Sequence, residues 1–241
     1  MTLLNNFIFC KKSNIVFAYV PKVACTNWKC ILRYLDGHAD YLDAQIAHDR
    51  KRSGLAYLST LPGGADLLAN PDVPKLTCVR NPYTRILSAY LNKIKPFAVD
   101  KVSPDWDPYF HMVFQEINAF RQQRHPELPV VSFRCFLDWL ENSGNALVKN
   151  EHWIAQTEIL GKGEVAFDYM GHFENLATDA PILLERMGCD IPFPSQKAVN
   201  FPSTRATELT RNYFSSIEIE QVRRIYVSDF SCLTYDPSVL P

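Results

Sequence analysis

Residues 14–37, NIVFAYVPKVACTNWKCILRYLDG, constrain the fold more than any other stretch. Ile15, Val16, Phe17, Ala18, Tyr19 and Val20 form an unbroken apolar run rich in β-branched and aromatic residues, the pattern of a central parallel strand. Pro21 ends it, because proline cannot donate to a ladder. Trp28, Ile31, Leu32 and Leu35 then recur at helical spacing, with Thr26 expected as the N-cap and Gly37 as the C-terminal stop. A strand, a small-residue turn and a helix start make an anion site. The backbone N–H groups of Val23, Ala24, Cys25, Thr26 and Asn27 are expected to line the turn, where the helix dipole favours negative charge. Lys22 places a full positive charge at its mouth, and Thr26 and Asn27 add side-chain donors. The run lacks the Gly-x4-Gly-Lys-Ser/Thr pattern of the P-loop, and its lysine precedes the turn instead of following it. Ala24 suits such a turn unless the position requires φ > 0.

A second stretch repeats the plan. In residues 75–95, KLTCVRNPYTRILSAYLNKIK, Leu76 to Val79 read as a buried strand. Asn81 is placed to cap a helix that has Pro82 in its first turn. Ile86, Leu87, Tyr90, Leu91 and Ile94 form its apolar face, and Pro96 is expected to stop it. Arg80 thus stands at the carboxyl end of a strand, where open α/β sheets bind ligands, and Ser88 lies about two turns into the helix. Arg85 reads as a surface or structural residue.

The two units point to one α/β domain over residues 1–241, long enough for a sizeable core. A net charge of −1, from 25 basic and 26 acidic residues, gives no field for nucleic acid, so any polyanion site must be local. The seven cysteines form no Cys-x-x-Cys pair. Buried free thiols are therefore expected in place of a zinc site or a disulfide framework, as in a reducing compartment. No run reaches the ~18 apolar residues of a membrane span, and the N-terminus lacks the features of a signal peptide.

Elsewhere the readings are plainer. Residues 3–10 read as an edge strand, and residues 38–74 as polar connection. The basic run from His48 to Arg52 there reads as a solvated helix face or loop, with an acidic sugar as the alternative partner. Helices are expected from Tyr109 onward, with His111 and Glu116 on it, and from Ser132 as cap through Leu140. Residues 164–187 read as strand, turn and helix, and residues 191–212 as irregular. The last helix opens on a capping box, Ser215-x-x-Glu218.

PKVACTNWK resembles the 5′-phosphosulfate loop of sulfotransferases that use 3′-phosphoadenosine 5′-phosphosulfate (PAPS), above all the carbohydrate sulfotransferases of the chondroitin and dermatan type, whose loop reads close to PKVGCTNWK. VRNPYTRILSAY is similar to their 3′-phosphate motif, with Arg80 and Ser88 eight positions apart as in the family. Asn81 replaces the aspartate of many relatives. FDYMGHFENLATDA resembles a further family segment, and landmarks run from about residue 15 to 236. The resemblance implies a three-layer, P-loop-like fold with a central, mostly parallel sheet flanked by helices. It also implies PAPS as donor, adenosine 3′,5′-bisphosphate as product, no metal, and a carbohydrate acceptor. The animal relatives are Golgi proteins with a membrane anchor. This chain shows none, and a soluble, bacterial, cytoplasmic version is expected.

The resemblance also assigns candidate roles. Lys22 would stabilise charge on the bridging oxygen, the 23–27 turn would hold the 5′-phosphate, and Arg80 and Ser88 the 3′-phosphate. Trp28 either stacks on adenine or packs its helix onto the sheet. Phe173 either lies near adenine or is core. Arg205, beside Ser203 and Thr204, is a phosphate donor candidate. His152 is the first candidate for the base, its unperturbed pKa of ~6.5 suiting the task, with His111, Glu116 and His48 behind it. Competing readings are a small-molecule or lipid acceptor, an ATP-using P-loop phosphotransferase, and a non-catalytic nucleotide-binding protein.

Overall fold

The computed structural model describes residues 3–99, 107–200 and 203–241. The chain forms two compact units, Met1–Arg80 with Gln156–Ser203, and Asn81–Ala155 with Thr204–Pro241.

The first unit holds the sheet. Its strands are β1 (Phe7–Cys10), β2 (Ile15–Ala18), β3 (Ala56–Tyr57), β4 (Lys75–Val79) and β5 (Tyr169–His172), in the order β3-β1-β2-β4-β5. β2 pairs with β4 and β4 with β5 in parallel, while β1 is antiparallel to both β2 and β3. Only β1 is reversed, so the sheet is mostly parallel and β2 is central, as its apolar run predicts. β2 and β4 are buried along their whole length. β1 lies inside the sheet, and the edge beside it is taken by β3, a short strand with no clear period in the sequence.

Helices flank this sheet. Trp28 of the helix Cys25–Leu35 meets Phe17 of β2 with ring centroids 5.1 Å apart. The helix Leu176–Arg186 covers β5, where a Cβ on Gly171 would stand 2.8 Å from Leu183 Cδ1, so only glycine admits this approach without a shift. Within the segment 164–187 the strand begins at Tyr169, later than the expected start.

The second unit is helical. The helices Pro82–Lys93, Pro108–Arg124, Phe133–Asn142, Ala206–Tyr213 and Ser216–Ile225 enclose an aromatic-rich core that includes Tyr83, Tyr90, Phe136, Trp139, Trp153 and Tyr226. Ser132 caps Phe133–Asn142, and both halves of the Ser215–Glu218 capping box form. Pro96 does not end the local helical structure. It lies in the first turn of a new short helix, Lys95–Ala98, where a missing N–H costs nothing. The segment 191–212 is likewise not wholly irregular, since Ala206–Tyr213 is helical. Of the run from residue 104 into the helix Pro108–Arg124, residues 104–106 lie outside the described residues.

All seven cysteines are free thiols. Burial pushes Cys30 up to about 11 and Cys78 higher still, which keeps both as inert thiols.

Candidate active site

The turn between β2 and the helix Cys25–Leu35 carries unusual backbone. Lys22 and Ala24 both have positive φ, 73° and 50°. Ala24 is the N-cap, left-handed at ψ 32°, and supplies no side-chain cap. A left-handed L-residue costs about 1–2 kcal/mol. The φ condition set for Ala24 is therefore met in the unfavourable sense, and an alanine bears it. Thr26 is not the N-cap, because it lies one residue inside the helix. The first-turn N–H groups of Cys25, Thr26 and Asn27 have no intrahelical partner by the geometry of a helix start, and the N-cap side chain, that of Ala24, gives them none. Lys22, half-buried, precedes them. Such a start fits a bound phosphate: uncapped donors, a dipole end and a cation converge without an acidic side chain of the turn's own.

The walls of the turn are built from distant residues. Asn27 Nδ2 donates to the Pro194 carbonyl at 2.8 Å, so this candidate donor also tethers the 191–200 segment. Thr26 Oγ1 lies 2.7 Å from His48 Nε2. Arg80, at the end of β4 and only 5% exposed, donates from Nη1 to the Lys22 carbonyl at 2.9 Å. Its guanidinium carbon stands 4.2 Å from the centroid of Phe173. Arg80 thus joins the lysine turn to the segment after β5, and the Phe173 ring bears a cation on its face.

Trp28 is 1% exposed and lies between Phe17 and Phe193, with the latter centroid at 4.4 Å. Of its two readings, packing of the helix onto the sheet is the one seen. The ring has no open face for adenine.

Gln156, which the sequence does not single out as a site residue, is completely buried. Its amide accepts from Arg80 N–H at 2.9 Å and donates to Arg80 C=O at 2.7 Å, continuing the ladder where β4 runs out. No local pattern marks a glutamine for this role 76 positions away.

The second unit holds the remaining candidates. Ser88 is 3% exposed, and its Oγ lies 3.0 Å from Thr204 Oγ1. Arg205 turns outward to an ion pair with Glu208. Arg85 is structural, as expected: it is buried and donates to the carbonyls of Ile154 at 2.7 Å and Glu151 at 2.8 Å, bracketing His152. Asn150 donates from Nδ2 to Tyr109 Oη at 3.0 Å, which turns its Oδ1 toward His152. That oxygen accepts from His152 N–H at 2.9 Å and lies 2.8 Å from His152 Nδ1. The proton therefore belongs on Nδ1, and Nε2 is the basic nitrogen. The ring packs edge-on against Phe110. Among the reserves, His111 stacks on Phe97 and Glu116 reaches Asn145. The basic run after His48 is loop: Asp49 Oδ1 accepts from the N–H groups of Lys51 and Arg52.

Comparison with known proteins decides the family. The model of the sulfotransferase family matches residues 5–236. This chain belongs to the sulfotransferase family. The match runs through both units, and it makes the protein a transferase, displacing the ATP-using phosphotransferase and the non-catalytic binding protein. Among curated relatives, the chain is 27% identical to carbohydrate sulfotransferase 10 of Danio rerio, over 97% of this chain and 67% of the relative. It is 27% identical to carbohydrate sulfotransferase 14 of Danio rerio, over 97% and 63%. With human carbohydrate sulfotransferase 10 it shares 25% over 97% and 67%. The chain thus spans about two thirds of the length of these relatives. No solved structure matches it. Among the described residues, no helix is long and apolar enough to cross a membrane.

Proposed function

We propose that this sulfotransferase moves a sulfuryl group from PAPS to a hydroxyl of a carbohydrate and releases adenosine 3′,5′-bisphosphate. The observation that carries the reading is the uncapped, left-handed helix start beside Lys22, tied to Arg80 at the end of β4. The relatives' names support a carbohydrate acceptor, and the family match through both units supports one working sulfotransferase domain.

The donor residues divide by the charge they meet. The turn offers the N–H groups from Ala24 to Asn27 to the 5′-phosphate, whereas the N–H of buried Val23, expected among them, donates to the Val20 carbonyl at 3.3 Å and is spent there. Arg80 offers its fork to the 3′-phosphate, the group that separates this nucleotide from ADP and ATP, with Ser88 as the hydroxyl of the same motif. As the acceptor oxygen bonds to sulfur, the bond from sulfur to the bridging phosphate oxygen breaks, and its electron pair stays on that oxygen. Lys22 meets the charge that develops there, an interaction stronger in the transition state than in the ground state. The family resemblance makes His152 the candidate base for the acceptor proton, and its Nε2 is the nitrogen that Asn150 leaves basic.

The test is thermal stabilisation by adenosine 3′,5′-bisphosphate, ADP and ATP without metal, on wild type and Arg80→Ala. At 100 times its dissociation constant a ligand adds about 2.7 kcal/mol of stability. The bisphosphate should raise the melting temperature of wild type selectively, and Arg80→Ala should lose that shift. An equal response to ATP would overturn the donor assignment. Labelled PAPS with a panel of glycans then tests the acceptor class, and transfer confined to lipids or small molecules would overturn the carbohydrate.

A further inference from the structure

His48 ends a five-residue helix, Ala44–His48, and is exposed, yet its Nε2 reaches the buried Thr26 hydroxyl at 2.7 Å. The short helix is held firmly. Asp43 Oδ1 accepts from the N–H groups of Gln45 and Ile46, and buried Ala47 clusters with Cys30 of the helix Cys25–Leu35 and with Val199. The imidazole is thus fixed against the second residue of that helix, within the proposed phosphosulfate turn.

A threonine hydroxyl has one proton and two acceptor sites. If His48 Nε2 accepts, the Thr26 proton is spent on the imidazole. If Nε2 carries the proton and donates, the Thr26 proton is directed elsewhere. A phosphate oxygen in the turn is a charged acceptor, and hydrogen bonds to charged acceptors are stronger than those between neutral groups. A bound anion therefore favours the arrangement in which His48 donates.

We propose that His48 is a positioning residue, which donates from Nε2 to Thr26 Oγ1 and so aims the Thr26 hydroxyl proton at the 5′-phosphate of the nucleotide. This rests on reading the 23–27 turn as the phosphosulfate site. His48 here acts through Thr26 and takes no proton from the acceptor.

The experiment measures the dissociation constant of adenosine 3′,5′-bisphosphate by calorimetry, with kcat alongside, for wild type, Thr26→Val, His48→Ala, His48→Gln and the Thr26→Val/His48→Ala double variant. Thr26→Val removes a hydrogen bond to a charged group and should weaken binding by about ten-fold or more. His48→Ala should weaken it by several-fold. His48→Gln, whose amide nitrogen can take the place of Nε2, should restore most of the loss. The double variant should bind no worse than Thr26→Val, because His48 has nothing left to position. A purely structural role predicts neither rescue by glutamine nor this non-additivity. His48→Ala with wild-type affinity and a collapsed kcat would overturn the assignment in favour of a base. Additive losses would also overturn it. Wild type that binds no bisphosphate would overturn the phosphosulfate reading, and the assignment with it.

Discussion

Two of the strand–turn–helix units, those that begin with β2 and with β4, have opposite helix starts. The helix Pro82–Lys93 is finished by its own sequence. Asn81 Oδ1 accepts from Tyr83 N–H at 3.0 Å, Pro82 has no N–H to satisfy, and residues 82–90 are buried. The helix Cys25–Leu35 is left unfinished. Its N-cap is a left-handed alanine with no side-chain bond, and Ala24, Cys25 and Asn27 are only half-buried. A start that satisfies its own donors has nothing to offer a ligand. One that leaves them uncapped beside a lysine forgoes roughly 1 kcal/mol of capping and bears backbone strain, and the proposed function gives it an anion to hold in return.

The largest test of this contrast removes the cation. Lys22→Ala should lower sulfuryl transfer by about 10²–10³-fold, the size of effect seen when a charge-stabilising donor is lost, while affinity for adenosine 3′,5′-bisphosphate changes only a few-fold. Steady-state kinetics with PAPS, paired with calorimetry, would show it, and unchanged transfer would break the contrast. Next comes the finished helix: Asn81→Ala should cost about 1 kcal/mol in denaturant unfolding and leave the nucleotide dissociation constant alone. Ala24→Gly should go the other way, raising stability by up to about 1 kcal/mol by relaxing φ 50°. A loss of stability in that variant would mean the left-handed turn is not strained.

The smallest effect lies at the other helix ends. Both helices carry a cation in the last turn, Lys93 and Arg33, which suits the dipole, but the C-cap of Pro82–Lys93 is the neutral Ile94 and that of Cys25–Leu35 is Asp36, whose charge opposes it. Burial raises the Asp36 carboxyl above its ordinary value. The folded state therefore holds more protons than the unfolded one between the two pKa values, so stability falls as pH rises through that window. Asp36→Asn should abolish this decline and be the more stable protein at neutral pH, as pH-dependent melting would show.

Much of this is legible in the chain. The apolar run of β2, the caps Asn81, Ser132 and Ser215, and Gly37 past its helix are all short-range, because propensity, capping and periodicity act within a few residues. The misplacing of Thr26 as a cap has a local cause too. The turn uses left-handed alanine at Ala24, which composition does not announce, and that moves the helix start back to Cys25. The edge strand β3 escapes a reading of the sequence because two residues carry no period.

By itself, then, the sequence determined the two strand–turn–helix units, the cation before the first turn and the arginine after the second strand, since each is a property of neighbouring residues. Tertiary structure decided what those groups touch. Arg80 meets the Lys22 carbonyl across 58 positions, Gln156 completes β4 from 76 away, and Ser88 finds Thr204 from 116 away. It also buried Trp28 against Phe193, closing one of the two roles open to it. Such pairings depend on how each unit closes on itself, and closure joins residues whose separation along the chain carries no signal of their meeting.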